Sequence, residues 1–243
     1  MDKTMRIGIL TKDFSKLNHI TRKLKNAEFN LVHLKKIPRI DHEIDVVVTD
    51  EPIENCLTPY IIPENLDILE LKIRYAYYQK NNLTISIDPG GICGLVASAN
   101  NHILFQKEFK SIELMTELII SIDNEIGLKN IKIGIGSPPT RNLIVNSLQN
   151  YKDRIQFIDE RRSGSGSHIE AAIRIASRIP EANEPVDYRP KDGEIAWIQK
   201  QSRRLSKGLI TIDKETANRI LLGEINMEEA VRKYTERLIK TKQ

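Results

Sequence analysis

The chain has 243 residues, of which 40% are hydrophobic, 29% charged and 5% aromatic, a composition typical of a globular protein and too apolar for a disordered one. No run approaches the roughly 18 apolar residues of a membrane span, and we expect no signal peptide at the start. The net charge of +4 permits a nucleic-acid partner without requiring one. Cys56 and Cys93 lack the spacing of a zinc site, so we expect a protein of the reducing cytoplasm, away from membranes.

Residues 1–81 predict a small α/β domain with the element order βαββα. Strands are expected at "MRIGILT", "FNLVHL" and "DVVVTD", and helices at "SKLNHITRKLKNA" and from Pro63 onward. The turn after the first strand, "TKDFSK", lacks the glycines of a dinucleotide-binding loop, which argues against such a cofactor site. Asp13 and Asp50 follow two of the strands, in a sparse version of the acidic cluster of receiver domains.

Residues 82–181 predict a second α/β domain with the element order β-β-β-α-β-α-β-α. The segments "LTISIDPGGICGLVAS" and "NNHILFQKEF" alternate strands and turns, which is the pattern of an antiparallel meander. Helices and strands then alternate through "SIELMTELIISIDNEIG", "IKIGIG", "SPPTRNLIVNSLQNY", "RIQFIDE" and "SHIEAAIRIASRI". The sequence therefore predicts a mixed sheet covered by helices.

Residues 182–243 predict a linker and a basic helical region. The linker is rich in proline and acidic residues, and two helices are expected at about Asp213–Leu222 and from Met227 to near the C-terminus. Between them and the linker, the segment 195–210 has four basic residues and no acidic one: Lys200, Arg203, Arg204 and Lys207. Such a cluster either contacts nucleic-acid phosphates or forms an ordinary solvated helix face.

Two acidic residues, Asp88 and Glu160, stand at the carboxyl ends of predicted central strands. The carboxyl ends of strands line the functional edge of an α/β sheet. Two such carboxylates and a third ligand can hold two divalent cations, which activate water and stabilise the leaving oxygen of a phosphodiester. Oxygen ligands suit Mg²⁺ or Mn²⁺. The structural alternatives are a turn-forming Asp88 and a Glu160 that pairs with neighbouring arginines.

The second domain resembles the RuvC-type Holliday junction resolvases and the related YqgF proteins of the ribonuclease H-like superfamily. Three motifs carry the resemblance: "SIDPGGICGLVAS", "IDERRS" and "HIEAAIRIA". The resemblance implies a ribonuclease H-like fold and a metal-dependent nuclease, with Asp88, Glu160 and His168 as metal ligands and catalytic residues. His168 stands where these families carry an Asp, three residues before an Ala-Ala pair.

The chain also departs from these families. "IKIGIG" is followed by Ser137 and has no carboxylate where RuvC proper carries its second acid, which favours the YqgF-like pattern. Glu170, two residues after His168, is an alternative or additional metal ligand. Positions i and i+2 of a helix point about 200° apart, so the two face one metal only if His168 precedes the first turn.

The loop between the last strand and the last helix contains Arg161 and Arg162, followed by the Ser-Gly repeat Ser163–Ser167. It lacks the Lys-Ser/Thr ending of a phosphate-binding P-loop. We interpret it as a strap that lets Glu160 and His168 approach Asp88, with the two arginines facing the substrate backbone.

Three functions follow from these patterns. The leading hypothesis is a metal-dependent nuclease or nucleic-acid-processing protein that acts on structured or branched DNA or RNA, with a homodimer as one option because a junction has two-fold symmetry. The second is a non-catalytic nucleic-acid-binding module on the same fold, because the acid set is incomplete. The third is an ATP-binding protein of the actin and sugar-kinase group.

Overall fold

The computed structural model of the chain describes residues 4–37, 43–78, 81–159, 167–180 and 189–240. It confirms the α/β class, with two sheets and a set of C-terminal helices. The chain divides into two compact units. Unit 1 comprises residues 1–83, 97–105 and 118–128, and unit 2 comprises residues 84–96, 106–117 and 129–243. In the described part of the chain, no helix combines the length and apolar character needed to cross a bilayer.

A four-stranded parallel sheet with the order β2-β1-β3-β4 forms the framework of unit 1. Its strands are β1 (Met5–Leu10), β2 (Phe29–His33), β3 (Val46–Thr49) and β4 (Tyr60–Ile61), and its helices are α1 (Phe14–Leu24) and α2 (Leu69–Tyr77). The short β4 is not predicted by the sequence pattern. The second helical segment begins at Leu66, with one 3-10 turn, and not at Pro63, because the Asn65 side chain accepts a hydrogen bond from Asp67 N and caps the helix there.

The core of unit 1 follows from the two periodicities of its sequence. Alternate residues of β1 and β3 point to the helices, and helical spacing places Ile20 and Leu24 of α1 opposite them. These side chains are buried together with Leu69 and Ile73 of α2. Because the parallel strands are covered by helices, they are apolar along nearly their whole length.

A five-stranded sheet with the order β7-β6-β5-β8-β9 forms the second framework. It is built from β5 (Thr84–Asp88), β6 (Cys93–Ala99), β7 (His102–Phe109), β8 (Asn130–Gly134) and β9 (Ile155–Ile158). The intervening helices are α3 (Ile112–Glu125), α4 (Pro138–Ser147), a 3-10 segment (Gln149–Arg154) and α5 (His168–Ser177). The order of elements from β5 to α5 agrees with the predicted order. β5 is the central strand and runs parallel to β8, which runs parallel to β9.

A two-residue turn connects β6 and β7, which are neighbours in this sheet. Asn100 and Asn101 both have positive φ, 46° and 66°. Two consecutive positive φ values are the geometry of a type I′ hairpin turn, and asparagine tolerates that region better than other non-glycine residues. The sequence pattern of strand, turn and strand is therefore realised as a hairpin.

Three helices form the described end of unit 2: α6 (Asp192–Leu205), α7 (Lys214–Leu221) and α8 (Met227–Lys240). They enclose a small core that includes Ile198, Ile212, Ile220 and Ala230. Leu143 of α4 packs against the same core, and the Asn142 side chain donates a hydrogen bond to the carbonyl of Leu221. The three-helix bundle therefore packs against α4, the helix that follows β8. The predicted linker residues 181–188 lie outside the described residues.

Candidate functional site at the end of strand β5

Asp88 is the last residue of the central strand β5, and only 8% of its surface is exposed. Side chains alternate along a strand, so Ile85 and Ile87 face one side of the sheet, while Ser86 and Asp88 face the other. Helix α5 packs on β5 and covers the side that carries Asp88. A carboxylate in such a buried place needs a hydrogen-bonding or charged partner.

His168 provides that partner. It is the first residue of α5, and its Nδ1 lies 3.0 Å from Oδ2 of Asp88. An ionised carboxylate only accepts hydrogen bonds, so Nδ1 is the donor, and in the neutral ring Nε2 is then the acceptor. The imidazole side chain is 41% exposed, against 12% for the Asp88 side chain. The pair therefore places a buried carboxylate behind an imidazole that reaches solvent.

Gly90 of the turn between β5 and β6 and Gly94 at the start of β6 make this approach sterically feasible. A methyl group on Gly94 would overlap the backbone carbonyl of His168. A methyl group on Gly90 would lie 2.9 Å from the carbonyl oxygen of Ile92 and 3.5 Å from Cε1 of His168. Gly91, between them, has no atom within 4 Å of such a methyl group. Gly94 thus allows the first turn of α5 to lie directly on β6.

The other end of α5 is held by a lysine of the neighbouring strand. Lys132 of β8 donates hydrogen bonds of 2.7 Å to the carbonyls of Ala176 and Arg178, where the helix leaves its last carbonyls without partners. A cation at a helix C-terminus is also favoured by the helix dipole. Burial lowers the pKa of Lys132. Arg178 itself donates to the carbonyl of Asp159, which follows β9.

Cys93 lies beside the Asp88 site, at the start of β6. Its thiol is buried, and its Sγ is 3.7 Å from the carbonyl oxygen of Gly90. Burial, with a smaller contribution from the Asp88 carboxylate, raises the pKa of this thiol. The protonated thiol therefore predominates at neutral pH, and Cys93 acts here as a small apolar side chain.

Glu170 caps the start of α5. Its carboxylate accepts a hydrogen bond from Ser167 N, and the Ser167 hydroxyl accepts one from Glu170 N, both at 3.2 Å. This reciprocal arrangement is a capping box that satisfies backbone donors at the start of α5. Its role as a metal ligand stays a prediction.

The structure thus brings together two of the predicted site residues, Asp88 and His168. Glu160, Arg161 and Arg162 lie outside the described residues. β8 and β9 end at the same edge of the sheet as β5, because Ile87 pairs with Ile133, and Ile133 pairs with Phe157. No group of three or more His, Cys, Asp or Glu side chains that could hold a metal ion occurs within the described ranges.

The four predicted phosphate-contacting residues are exposed on α6 and in the turn that follows it: Lys200, Arg203, Arg204 and Lys207. None of them forms an ion pair with a described acidic residue. We call these four residues the α6 basic cluster. Leu205 and Leu209, beside them, are also exposed. The cluster therefore presents to solvent positive charge with which no described acidic residue forms an ion pair.

Two residues that matter to this site were not identified from the sequence, Gly94 and Lys132. The signal for Lys132 was a charged residue inside the apolar strand "IKIGIG", where only a specific partner makes the charge tolerable. The signal for Gly94 was a third glycine inside a predicted strand, which often marks close approach of another backbone. Lys132 pairs in register with Ser86, whose buried hydroxyl has no hydrogen-bond partner among the described residues.

Comparisons with known proteins add two findings. A family described as a three helical bundle domain matches residues 191–236, which the structure shows as α6 to α8. Among solved structures, the chain is similar to RuvC of T. thermophilus in complex with a Holliday junction substrate, with 10% identity and a TM-score of 0.32 over 40% of this chain and 90% of that one. No curated protein matches the sequence.

Proposed function

We propose that this protein hydrolyses phosphodiester bonds of structured or branched nucleic acid with the help of divalent metal ions. The observation that carries the proposal is the 3.0 Å contact between His168 Nδ1 and Asp88 Oδ2 at the carboxyl end of the central strand. These residues are 80 positions apart in sequence and belong to two different motifs of the resemblance. Their meeting at one sheet edge is what a shared active site requires.

The order of strands supports a ribonuclease H-like domain as the framework. The first strand of the domain, β5, is the central one, with β6 and β7 on one side and β8 and β9 on the other. Alternating helices connect the strands from β7 onward. This arrangement agrees with the resemblance of the sequence to the RuvC and YqgF proteins, in which the first strand ends in the first metal ligand.

The donor atoms available at this edge suit Mg²⁺ or Mn²⁺. Asp88 offers carboxylate oxygens and His168 an imidazole nitrogen, and we propose Glu160, two residues beyond β9, as the third ligand. A bound divalent ion would polarise the phosphate and lower the pKa of attacking water. The buried carboxylate contributes the negative charge that such an ion requires.

His168 is suited to move a proton. Asp88 fixes the ring by accepting the hydrogen of Nδ1, which keeps Nε2 as the acceptor in the neutral tautomer. A neutral imidazole held in one orientation can take a proton from attacking water, and the ionised Asp88 then stabilises the imidazolium. We therefore assign His168 the role of proton carrier or metal ligand, and Asp88 the role of ligand and ring orienter.

The α6 basic cluster is proposed to bind the nucleic-acid backbone. Lysine and arginine side chains that neutralise phosphates release counterions, which makes binding strongly dependent on salt. The exposed charges of this cluster, which form no ion pair with a described acidic residue, have that property. Arg161 and Arg162 are proposed to contact phosphates nearer the reacting bond. A two-fold symmetric junction would favour a homodimer, which light scattering in solution would detect.

Cleavage assays test the proposal. The full chain is incubated with a four-way junction, a flap and a linear duplex of DNA and of RNA, with Mg²⁺, with Mn²⁺ and with EDTA. We expect metal-dependent cleavage of a branched substrate and at least an approximately 100-fold loss in Asp88→Asn. Asp153→Asn, which changes an exposed carboxylate of the same unit, is the matched control and should keep full activity. Full cleavage by Asp88→Asn would refute the assignment.

A non-catalytic binding module is the second candidate, because the described residues contain no third ligand beside Asp88 and His168. Titration of Mn²⁺, followed by electron paramagnetic resonance, separates the two. Binding that is lost in Asp88→Asn supports the enzyme. Junction binding without any Mn²⁺ binding at millimolar concentration supports the module.

A further inference from the structure

A second site of a different character occurs in unit 1. A cleft of about 680 Å³ lies at the carboxyl edge of the parallel sheet β2-β1-β3-β4. Its walls come from the segments that follow β1, β2 and β3. The chain order reverses at β1, which has β2 on one side and β3 on the other, and ligands of open α/β sheets bind at such a reversal. The volume is that of a site for a small molecule.

The charge of this cleft is positive. Lys12, Lys35 and Lys36 line it, all three exposed, and none forms an ion pair with a described acidic residue. Of the two carboxylates in the lining, Asp50 is already balanced by Lys16, whose Nζ lies 3.3 Å from Oδ1, and it accepts a hydrogen bond from the Thr11 hydroxyl. The cleft therefore favours an anion.

The cleft also offers an aromatic face. Phe14, the first residue of α1, is 74% exposed, and Ile37 is 48% exposed. The ring of Phe14 meets His33 edge to face, with centroids 6.4 Å apart, and His33 Nε2 lies 3.3 Å from the carbonyl oxygen of Thr11. This arrangement holds Phe14 on one side and leaves much of the ring open. A large exposed aromatic residue beside positive charge is a platform for a planar, anionic ligand.

The polar residues at the end of β3 restrict the chemistry of the ligand further. Thr49 is the last residue of β3, and its hydroxyl already exchanges hydrogen bonds with the backbone of Glu51. Asp50 follows it, and a carboxylate with two partners still has lone pairs available for further donors. A purely aliphatic anion would supply no further donor to these lone pairs. The cleft therefore favours a ligand that combines an anionic group, a flat ring and hydroxyl or amino donors.

We propose that this cleft binds a nucleotide unit, with its base on Phe14, its phosphate on the three lysines and a sugar hydroxyl or base amine donating to Asp50. The phosphate is assigned to the lysines because the N-terminus of α1 is already occupied: Asp13 Oδ1 accepts from Ser15 N at 2.8 Å and from Lys16 N at 3.2 Å. The bound nucleotide is either a free nucleotide or one nucleotide of a single strand. The inference goes beyond the hydrolytic site and does not depend on it.

Binding of AMP, inorganic phosphate and a 12-residue single-stranded oligonucleotide to the full chain tests this proposal by calorimetry at low salt. Phe14→Ala should weaken AMP binding about tenfold, the effect of losing one stacked base. Lys35→Glu with Lys36→Glu should weaken it at least about tenfold and flatten the salt dependence. Two variants of exposed residues outside the cleft, Leu57→Ala and Lys25→Glu, should change affinity less than about twofold. Inorganic phosphate should bind at least about tenfold more weakly than AMP.

The oligonucleotide is also measured with the double variant Arg203→Glu and Arg204→Glu, which replaces two of the four cations of the α6 basic cluster by carboxylates and so weakens binding there. Binding that then depends on Phe14 and is tighter than that of AMP identifies the strand as the ligand. AMP binding that is equal or tighter identifies the free nucleotide. The proposal is overturned if neither binds up to about 10 mM, if phosphate binds as tightly as AMP, or if Phe14→Ala has no effect on the ligand that binds. These binding results do not depend on the hydrolytic site, so they would be the same if the protein cleaved no nucleic acid.

Discussion

Two aspartates of this protein end or follow central parallel strands, and their surroundings differ. Asp50 follows β3, pairs with the exposed Lys16 and accepts a hydrogen bond from the Thr11 hydroxyl, with 22% of its side chain exposed. Asp88 ends β5, has 12% of its side chain exposed and faces an imidazole. A lysine ammonium offers only donors, whereas a neutral imidazole offers one donor nitrogen and one acceptor nitrogen. The same position in a sheet therefore yields a carboxylate–lysine pair in the wall of a cleft in one case and a carboxylate–imidazole pair in the other.

Removal of the His168 imidazole should produce the largest effect, a loss of cleavage rate. A small loss would contradict the contrast between Asp88 and Asp50. His168→Ala is expected to lower the rate of metal-dependent cleavage at least about 100-fold, because the proton carrier at Asp88 is lost. The rate is measured on the branched substrate that the wild-type protein cleaves best. His19→Ala, which changes an exposed histidine of α1, is the control and should keep the wild-type rate. Equal rates for the two variants would exclude a catalytic role of the imidazole.

Gly94→Ala should be the next largest perturbation. The added methyl group overlaps the His168 carbonyl and must displace the start of α5, which we expect to cost about 1–3 kcal/mol of unfolding free energy. The free energy of unfolding, measured with a denaturant, and the cleavage rate should both fall. Gly91→Ala adds the same methyl group where no atom lies within 4 Å, so it should be neutral. A neutral Gly94→Ala would mean that α5 does not lie against β6 as described.

Lys132→Met should have a moderate effect at the other end of α5. It removes two 2.7 Å hydrogen bonds to helix-terminal carbonyls, which we expect to cost about 1 kcal/mol. Lys129→Met, at an exposed position, is the matched control. Burial lowers the pKa of Lys132 in the folded protein below the value of about 10.4 expected in the unfolded chain. As the pH falls, the unfolded chain takes up the proton first, so the stability contributed by Lys132 is greatest above about pH 10.4 and is lost as the pH falls through the lowered pKa. The variant should lose this pH dependence, and an unchanged profile would contradict the burial.

Lys16→Ala should have the smallest effect. The pair with Asp50 is 3.3 Å long, and the Lys16 side chain is more than half exposed, so we expect a loss below about 1 kcal/mol in chemical denaturation. The loss should shrink as salt is added, because exposed ion pairs are screened. A larger and salt-independent loss would show that the Asp50 environment is more buried than the structure indicates, and the contrast with Asp88 would disappear.

The sequence predicts much of the framework because its signals are local. Apolar periodicity and turn residues identify the elements from β5 to α5 in their observed order. Asp88 was expected at the functional edge because it ends a predicted central strand, and the resemblance to the RuvC and YqgF families implied that His168 lies beside it. The contacts of Gly94 and Lys132 were not predictable, since they depend on how closely α5 approaches β6 and on which residues of α5 lie over β8. Such distances are set by packing over more than 40 positions, which no local pattern encodes.

The cleft in unit 1 could not be predicted from the sequence either. Its lining comes from three separate segments, and none of them carries a recognised binding motif. The prediction that Asp13 and Asp50 form a sparse acidic cluster gives no indication of it, because Asp13 caps α1 and Asp50 is paired with Lys16. Only the folded arrangement reveals the combination of exposed Phe14, lysines and the polar residues at the end of β3.

A crystal of the full chain soaked in Mn²⁺, with anomalous diffraction recorded at the manganese edge, tests the central claim most directly. We expect an anomalous peak about 2.0–2.3 Å from a carboxylate oxygen of Asp88, with Glu160 and His168 as further ligands. The same soak of Asp88→Asn should show no peak at this place. Absence of a peak beside Asp88 at millimolar Mn²⁺, with His168 still bonded to the carboxylate, would contradict the assignment of this site to metal-dependent hydrolysis.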